Sequence, residues 1–153
     1  MKELVLSSSV DIKASAARVW KTLTDPELTK QYMFGCEVVS DWKAGSPVLW
    51  KGSADGKVYV KGNVLKIEPK RLLQYTVFDP NSPMEDVPEN YLTVTYELVS
   101  SGDMTTLNVG QADYASVQDG EARYKDSVEG WPAVMKLIKE VAEKESNSAG
   151  ANG

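Results

Sequence analysis

The side chains that could do chemistry in this chain are limited by what is missing. It has no histidine and one cysteine, Cys36. That excludes imidazole general-base catalysis, histidine-dependent serine or cysteine triads, and the usual zinc sites. It also excludes an internal disulfide and any multi-cysteine metal centre. Phenols and one amide remain. Tyrosine outnumbers phenylalanine seven to two, and a tyrosine in a core needs a partner for its hydroxyl. By strand parity Tyr75, Tyr96, Ser8 and Gln111 all point inward among aliphatic residues. A few polar groups on an apolar wall are the usual make-up of a small-molecule site. If the hydroxyls reach the surface or one another instead, the interior is simply packed.

Gln111 prolongs the face of Leu107 and Val109, where a strand favours another aliphatic residue. It is either a polar group inside a cavity or a solvated residue at the end of the sheet. Trp50 and Trp131 have the planar faces to stack on a ligand, and large aromatics are also ordinary core residues. Cys36 reads as a small buried hydrophobe, since no histidine is present to activate its thiol. Glu37, Asp41 and Asp113 stand near strand ends with no pairing visible in the sequence, which makes them solvated.

The elements that must position these groups are a run of strands and one closing helix. Leu4, Leu6, Val10 and Ile12 share a parity with Ser8, giving a first strand. Ser15 caps a short helix carrying Val19, Trp20 and Leu23 on one side. Asp25-Pro26-Glu27 starts a second, with a capping aspartate, a proline at the first helical position and an acid in the positive first turn, and Gly35 ends it. From Glu37 the apolar period changes to two. Val38 and Trp42 share a parity, Lys43 to Pro47 form a turn, and Val48 and Trp50 follow. Asp55-Gly56 signals a hairpin. Val58, Val60 and Val64 are even while Leu65 and Ile67 are odd, so a bulge is expected between Gly62 and Leu65.

Leu73, Tyr75 and Val77 form the next strand. Residues Asp79 to Asn90 hold Pro80, Pro83 and Pro88, and are either a lid over a binding site or a passive connection. The clearest strand carries Leu92, Val94, Tyr96 and Leu98, and Ser101-Gly102-Asp103 turns it into a partner ending at Gln111. The closing helix places Trp131, Val134, Met135, Ile138, Val141 and Ala142 on one stripe. Pro132 either lies in its first turn or kinks it. One such helix cannot fill the concavity of a long twisted sheet, so space is expected between them, with Trp131, Met135 and Ile138 as its roof.

A chain of 153 residues fits one domain, expected over residues 1–145, with a small polar tail over 146–153 expected to be disordered. A net charge of −5 argues against a general nucleic-acid binder. No segment approaches a membrane span and the start lacks the apolar stretch of a signal peptide, so a cytoplasmic protein is expected.

Four segments carry a resemblance. "AARVWKTLTDPEL" (16–28) looks like a helix pair in which an apolar-aromatic end runs into T-D-P-E at the next cap. "SDWKAGSP" (40–47) resembles a strand with its glycine turn, "GNVLKIEPKRLLQYT" (62–76) a central strand pair, and "EGWPAVMKLIKEVAE" (129–143) the opening of a last helix. Together they resemble the SRPBCC superfamily, which includes START lipid-transfer domains and the birch-pollen-allergen family. Within it the pattern is similar to the C-terminal domain of the activator of heat-shock protein 90 ATPase. The second helix of that family usually carries a tryptophan where Tyr32 stands here, which affects the pocket entrance.

The resemblance implies an α+β helix-grip fold. Its curved antiparallel sheet has about seven strands, with two short helices after the first and a long C-terminal helix in the concave face. It also implies a non-catalytic domain holding a small hydrophobic ligand. The expected ligand contacts are Ser8, Trp50, Tyr75, Tyr96, Gln111, Trp131, Met135 and Ile138, with no cofactor or metal. Two alternatives accompany it. One is a polyketide cyclase or aldolase type of enzyme in the same cavity, which would have to use Tyr75, Tyr96 or a stray carboxylate. The other is a stress-response protein that engages the heat-shock protein 90 chaperone through the surface around the two short helices. The domain with which such activators stimulate the chaperone has no counterpart in these segments, so stimulation itself is not carried over.

Overall fold

The structure, a computed structural model, describes residues 6–33, 35–81, 85–87, 90–112 and 120–152. The side chains of 112, 120–123, 126–129 and 145–152 are excepted. In chain order the elements are β1 (Leu6–Ile12), α1 (Ala16–Thr24), α2 (Pro26–Tyr32), β2 (Cys36–Val39), β3 (Pro47–Gly52) and β4 (Val58–Glu68). There follow β5 (Leu72–Val77), β6 (Leu92–Ser101), β7 (Met104–Ala112) and α3 (Gly120–Asn152). The strands form one antiparallel sheet in the order β1-β7-β6-β5-β4-β3-β2. It curls as a half-barrel, with α3 against β1, α1 and α2: the helix-grip α+β fold.

The caps are those the sequence specifies. Ser15 Oγ accepts from the Arg18 N–H at 3.2 Å, and Asp25 Oδ1 accepts from the Glu27 N–H at 2.9 Å. Pro26 opens α2, and that has a consequence for α1. The Thr22 carbonyl would normally accept from the N–H four residues on, but residue 26 is a proline and has none. The Tyr32 hydroxyl supplies the missing donor at 2.9 Å. Thr29 ties α2 to β2: its hydroxyl accepts from the Val38 N–H at 3.0 Å and reaches the Cys36 carbonyl at 3.2 Å. Thr105 likewise donates to the Ala14 carbonyl at 2.8 Å.

The bulge expected near Gly62 to Leu65 falls between Val64 and Lys66 of the β4–β5 ladder. Val64 is buried, Leu65 faces solvent and Ile67 returns to the core. Gly62 is needed there because a Cβ on it would lie 1.6 Å from the Thr76 carbonyl oxygen. One local expectation changes, and one open choice is decided. β2 stops at Val39, and Trp42 takes a left-handed backbone, φ 56°, so it is a turn residue and does not extend the strand. α3 begins at Gly120 and passes through Pro132, so of the two readings of that proline the one with helix before it holds. The tail expected over 146–153 falls on residues whose side chains lie outside those described. No described helix is long and apolar enough to cross a membrane.

Candidate functional site

The stripe on α3 divides in two. Val134, Met135, Ile138, Val141 and Ala142 are buried against the core, with Ile138 and Ala142 at 0% exposure, whereas Trp131 is half-buried. Around Trp131 the helix and sheet separate, and a cavity of about 610 Å³ opens. Its floor is Tyr75 and Val77 of β5, Val94 of β6 and Gln111 of β7. Trp50 and Val60 form one wall and Trp131 the other. The mouth is Met33, Gly35, Cys36, Tyr59 and the Gly52–Asp55 turn.

The mouth is braced by hydrogen bonds. The Ser53 N–H donates to the Gly35 carbonyl at 3.0 Å, joining the β3–β4 hairpin to the α2–β2 turn. Asp55 accepts from the Lys57 N–H at 2.9 Å and from the Tyr59 hydroxyl. Those bonds, the Tyr59 hydroxyl first, hold the Asp55 carboxyl below its ordinary pKa. Burial, with the Asp55 charge nearby, pushes the Cys36 thiol up. At neutral pH the mouth therefore carries an ionised carboxylate and a protonated, unreactive thiol.

Inside, polar groups are few. The Trp131 indole N–H donates to Gln111 Oε1 at 2.7 Å, and Gln111 is 7% exposed. Of the two readings of Gln111, it is an interior group and not a solvated strand end. Tyr75 and Tyr96 are buried with ring centroids 6.2 Å apart, and Tyr96 meets the Trp131 ring edge-on at 6.2 Å. The two phenols influence each other's ionisation, but among the described residues the Tyr96 hydroxyl, buried, has no hydrogen-bond partner. Burial drives both pKa values up, that of Tyr75 well above the usual phenol value. Both therefore keep their protons at neutral pH, where they are hydrogen-bond donors and cannot act as bases.

Of the eight residues expected to touch a ligand, Trp50, Tyr75, Gln111 and Trp131 border this cavity. Tyr96, Met135 and Ile138 lie behind its wall, in the core. Ser8 is half-buried and faces a separate depression of about 240 Å³, with Leu6, Tyr124 and Pro132. Trp131 borders both spaces. Strand parity placed Ser8 on the right face but could not see the indole standing between the two. The mouth residues were missed at the sequence level, although Asp55-Gly56 marked their hairpin.

The proline-rich loop is pinned to β4: the Asn81 side chain donates to the Val58 carbonyl at 2.9 Å, and Asp86 pairs with Lys61 and Tyr91. None of its described residues borders the cavity. Residues 82–84 and 88–89 of that loop, and Asp113, lie outside the described residues. Among the described residues no group of three metal-type ligands comes together.

Comparisons with known proteins agree with this architecture. The family described as Activator of Hsp90 ATPase homolog 1-like protein matches residues 13–143. The solution structure of ChR145 from Cytophaga hutchinsonii is similar at 35% identity, covering 95% of this chain and 98% of that one, with a TM-score of 0.75. CalU16 from Micromonospora echinospora shares the fold at 19% identity, 92% and 77% coverage and a TM-score of 0.69. So does the Aha1 dimer from Colwellia psychrerythraea, at 16% identity, 91% and 96% coverage and a TM-score of 0.69. Among curated proteins none matches.

Proposed function

The chain belongs to the Activator of Hsp90 ATPase homolog 1-like family, of SRPBCC type, and from that premise we propose that it is a non-catalytic binding protein for a small hydrophobic molecule, held between Trp50, Tyr75, Val94, Gln111 and Trp131. The observation that carries this is the apolar cavity at one end of a core that is otherwise closely packed. Apolar wall exposed to water is unfavourable by roughly 25 cal/mol per Å², and a ligand that covers it recovers that energy. The cytoplasmic setting is part of the proposal.

The cyclase or aldolase alternative needs a base in the cavity. Protonated Tyr75 and Tyr96 do not supply one, and Asp55 is committed to Tyr59 and Lys57 at the mouth. Family membership keeps the heat-shock protein 90 chaperone as a second candidate partner, to be tested by pull-down with the purified chaperone.

The cavity is tested with the neutral dye N-phenyl-1-naphthylamine. Its fluorescence should rise on adding the protein. Val94→Phe, which fills the floor, should weaken binding about tenfold or more, with the melting temperature kept within a few degrees. Equal dye affinity in both proteins would remove the cavity as the binding site.

A further inference from the structure

The Gln111 amide has a settled orientation. An indole nitrogen only donates, and that of Trp131 lies 2.7 Å from Gln111, so the amide must turn its oxygen toward the indole and its NH₂ away. That NH₂ offers two donors. Gln111 is more than nine-tenths buried and borders the cavity. No described residue accepts from its nitrogen.

The strand register adds a second donor. Tyr75 pairs with Val94, and Val94 pairs with Gln111, so the three form one row across β5, β6 and β7. Tyr75 and Gln111 thus flank Val94 two strands apart, about 9–10 Å between backbones. Both are longer than the valine, which makes Val94 the floor of a notch between Tyr75 and Gln111. Among the described residues no lysine or arginine borders the cavity, and the charged residue on its wall is Asp55, at the mouth.

We propose that this notch selects neutral, largely apolar molecules bearing a carbonyl oxygen, which accepts hydrogen bonds from Gln111 Nε2 and Tyr75 Oη. Trp131 is the positioning residue that keeps the amide in its donating orientation. A pure hydrocarbon would leave the buried donors unmet. A carboxylate would reach them but would be buried without a counter-charge, and would have to pass the negative Asp55. The proposal rests on the cavity being a ligand site, as argued above.

The test compares three molecules of one shape on the full chain at pH 7.5: 2-acetylnaphthalene, 2-ethylnaphthalene and 2-naphthoate, each displacing N-phenyl-1-naphthylamine. The ketone should bind about tenfold more tightly than the hydrocarbon, the worth of about 1.4 kcal/mol, and the carboxylate should bind most weakly. Gln111→Leu should bring the ketone-to-hydrocarbon ratio close to one. Tyr75→Phe, which keeps the ring and removes only the hydroxyl, should lower that ratio part of the way. Trp131→Phe should also lower it, because the freed amide can turn its oxygen inward.

Equal binding of ketone and hydrocarbon in the unmodified protein would overturn the carbonyl preference while leaving the cavity reading intact. Tightest binding by naphthoate would overturn the neutrality. If neither the dye nor any of the three binds, the cavity reading fails and this inference fails with it.

Discussion

Tyr32 and Tyr96 are two phenols of one core, 1% and 2% exposed, and among the described residues only Tyr32 of the two has a partner for its hydroxyl. They share one buried cluster but differ in what surrounds their hydroxyls, Tyr32 among the helices and Tyr96 against the Trp131 ring. Where α1 and α2 meet α3, the buried polar groups are satisfied: Tyr32 on the Thr22 carbonyl, Thr29 between α2 and β2, and Thr105 on Ala14. These are staples, each answering a backbone need created locally, and the space around them is closed by Val19, Leu28, Ile138 and Ala142. Under Trp131 the polar groups of Tyr75 and Gln111 answer no such need and border the cavity, with Tyr96 behind its wall. A polar side chain that repairs the backbone reports on folding, whereas one left with unused donors beside a cavity reports on binding.

The largest test of this contrast is Ile138→Asp. It places an unpaired charge in the closed half and should leave the chain unfolded at room temperature, read as loss of the cooperative melt by circular dichroism. A normal melt would mean that this half is not close-packed.

The sharpest test is a pair of substitutions. Tyr32→Phe strands the Thr22 carbonyl and should cost about 1–3 kcal/mol in urea unfolding. Tyr96→Phe removes a hydroxyl that already lacks a partner and should stay within about 0.5 kcal/mol of the parent, or stabilise it. Equal losses from both would erase the distinction between the halves.

The same phenols set an alkaline limit. Burial raises the pKa values of Tyr32, Tyr75 and Tyr96 in the folded protein. Below the ordinary phenol pKa of about 10 both folded and unfolded chains are protonated and full stability is kept. Above it the unfolded chain releases protons that the folded chain retains, so stability is lost as pH rises toward the folded values. Urea midpoints measured from about pH 8 to 11 should fall with pH in the parent. They should fall less in the double variant Tyr75→Phe, Tyr96→Phe.

The smallest effect concerns Cys36. Its raised pKa should make carbamidomethylation by iodoacetamide at about pH 8 slower than that of a free cysteine, near whose ordinary pKa the comparison is made. Bound N-phenyl-1-naphthylamine should slow it further, because Cys36 stands at the mouth. A thiol as reactive as free cysteine, followed by mass spectrometry, would contradict the burial of this rim.

Much of this could be read from the residues because the signals are local. The Ser15 and Asp25 caps, the Asp55-Gly56 hairpin, the alternation from Leu92 to Leu98 and the α3 stripe each depend on neighbours within a few positions, and each is found where expected. The bulge after Val64 was legible as a change of parity, although which residue faces out was not. Trp42 escaped because a left-handed tryptophan leaves no mark on an apolar period. Pro132 could be read as a helix opening or as an interior position, because helices also run through prolines when their packing outweighs the lost bond, and α3 running from Gly120 decides for the interior position.

By itself the sequence determined the element types, the caps, the absence of histidine and disulfide chemistry, and which face of each strand points inward. Only the tertiary structure decided that Trp50, Tyr75, Gln111 and Trp131 share one cavity while Met135 and Ile138 close the core. It also decided that Ser8 stands beyond the indole, and that the β3–β4 hairpin forms the mouth. The physical reason is range: parity says which way a side chain leaves its strand, but the curl of the sheet and the seat of α3 set how far apart the facing side chains stand. Whether a gap remains between them is a sum over contacts distant in the chain.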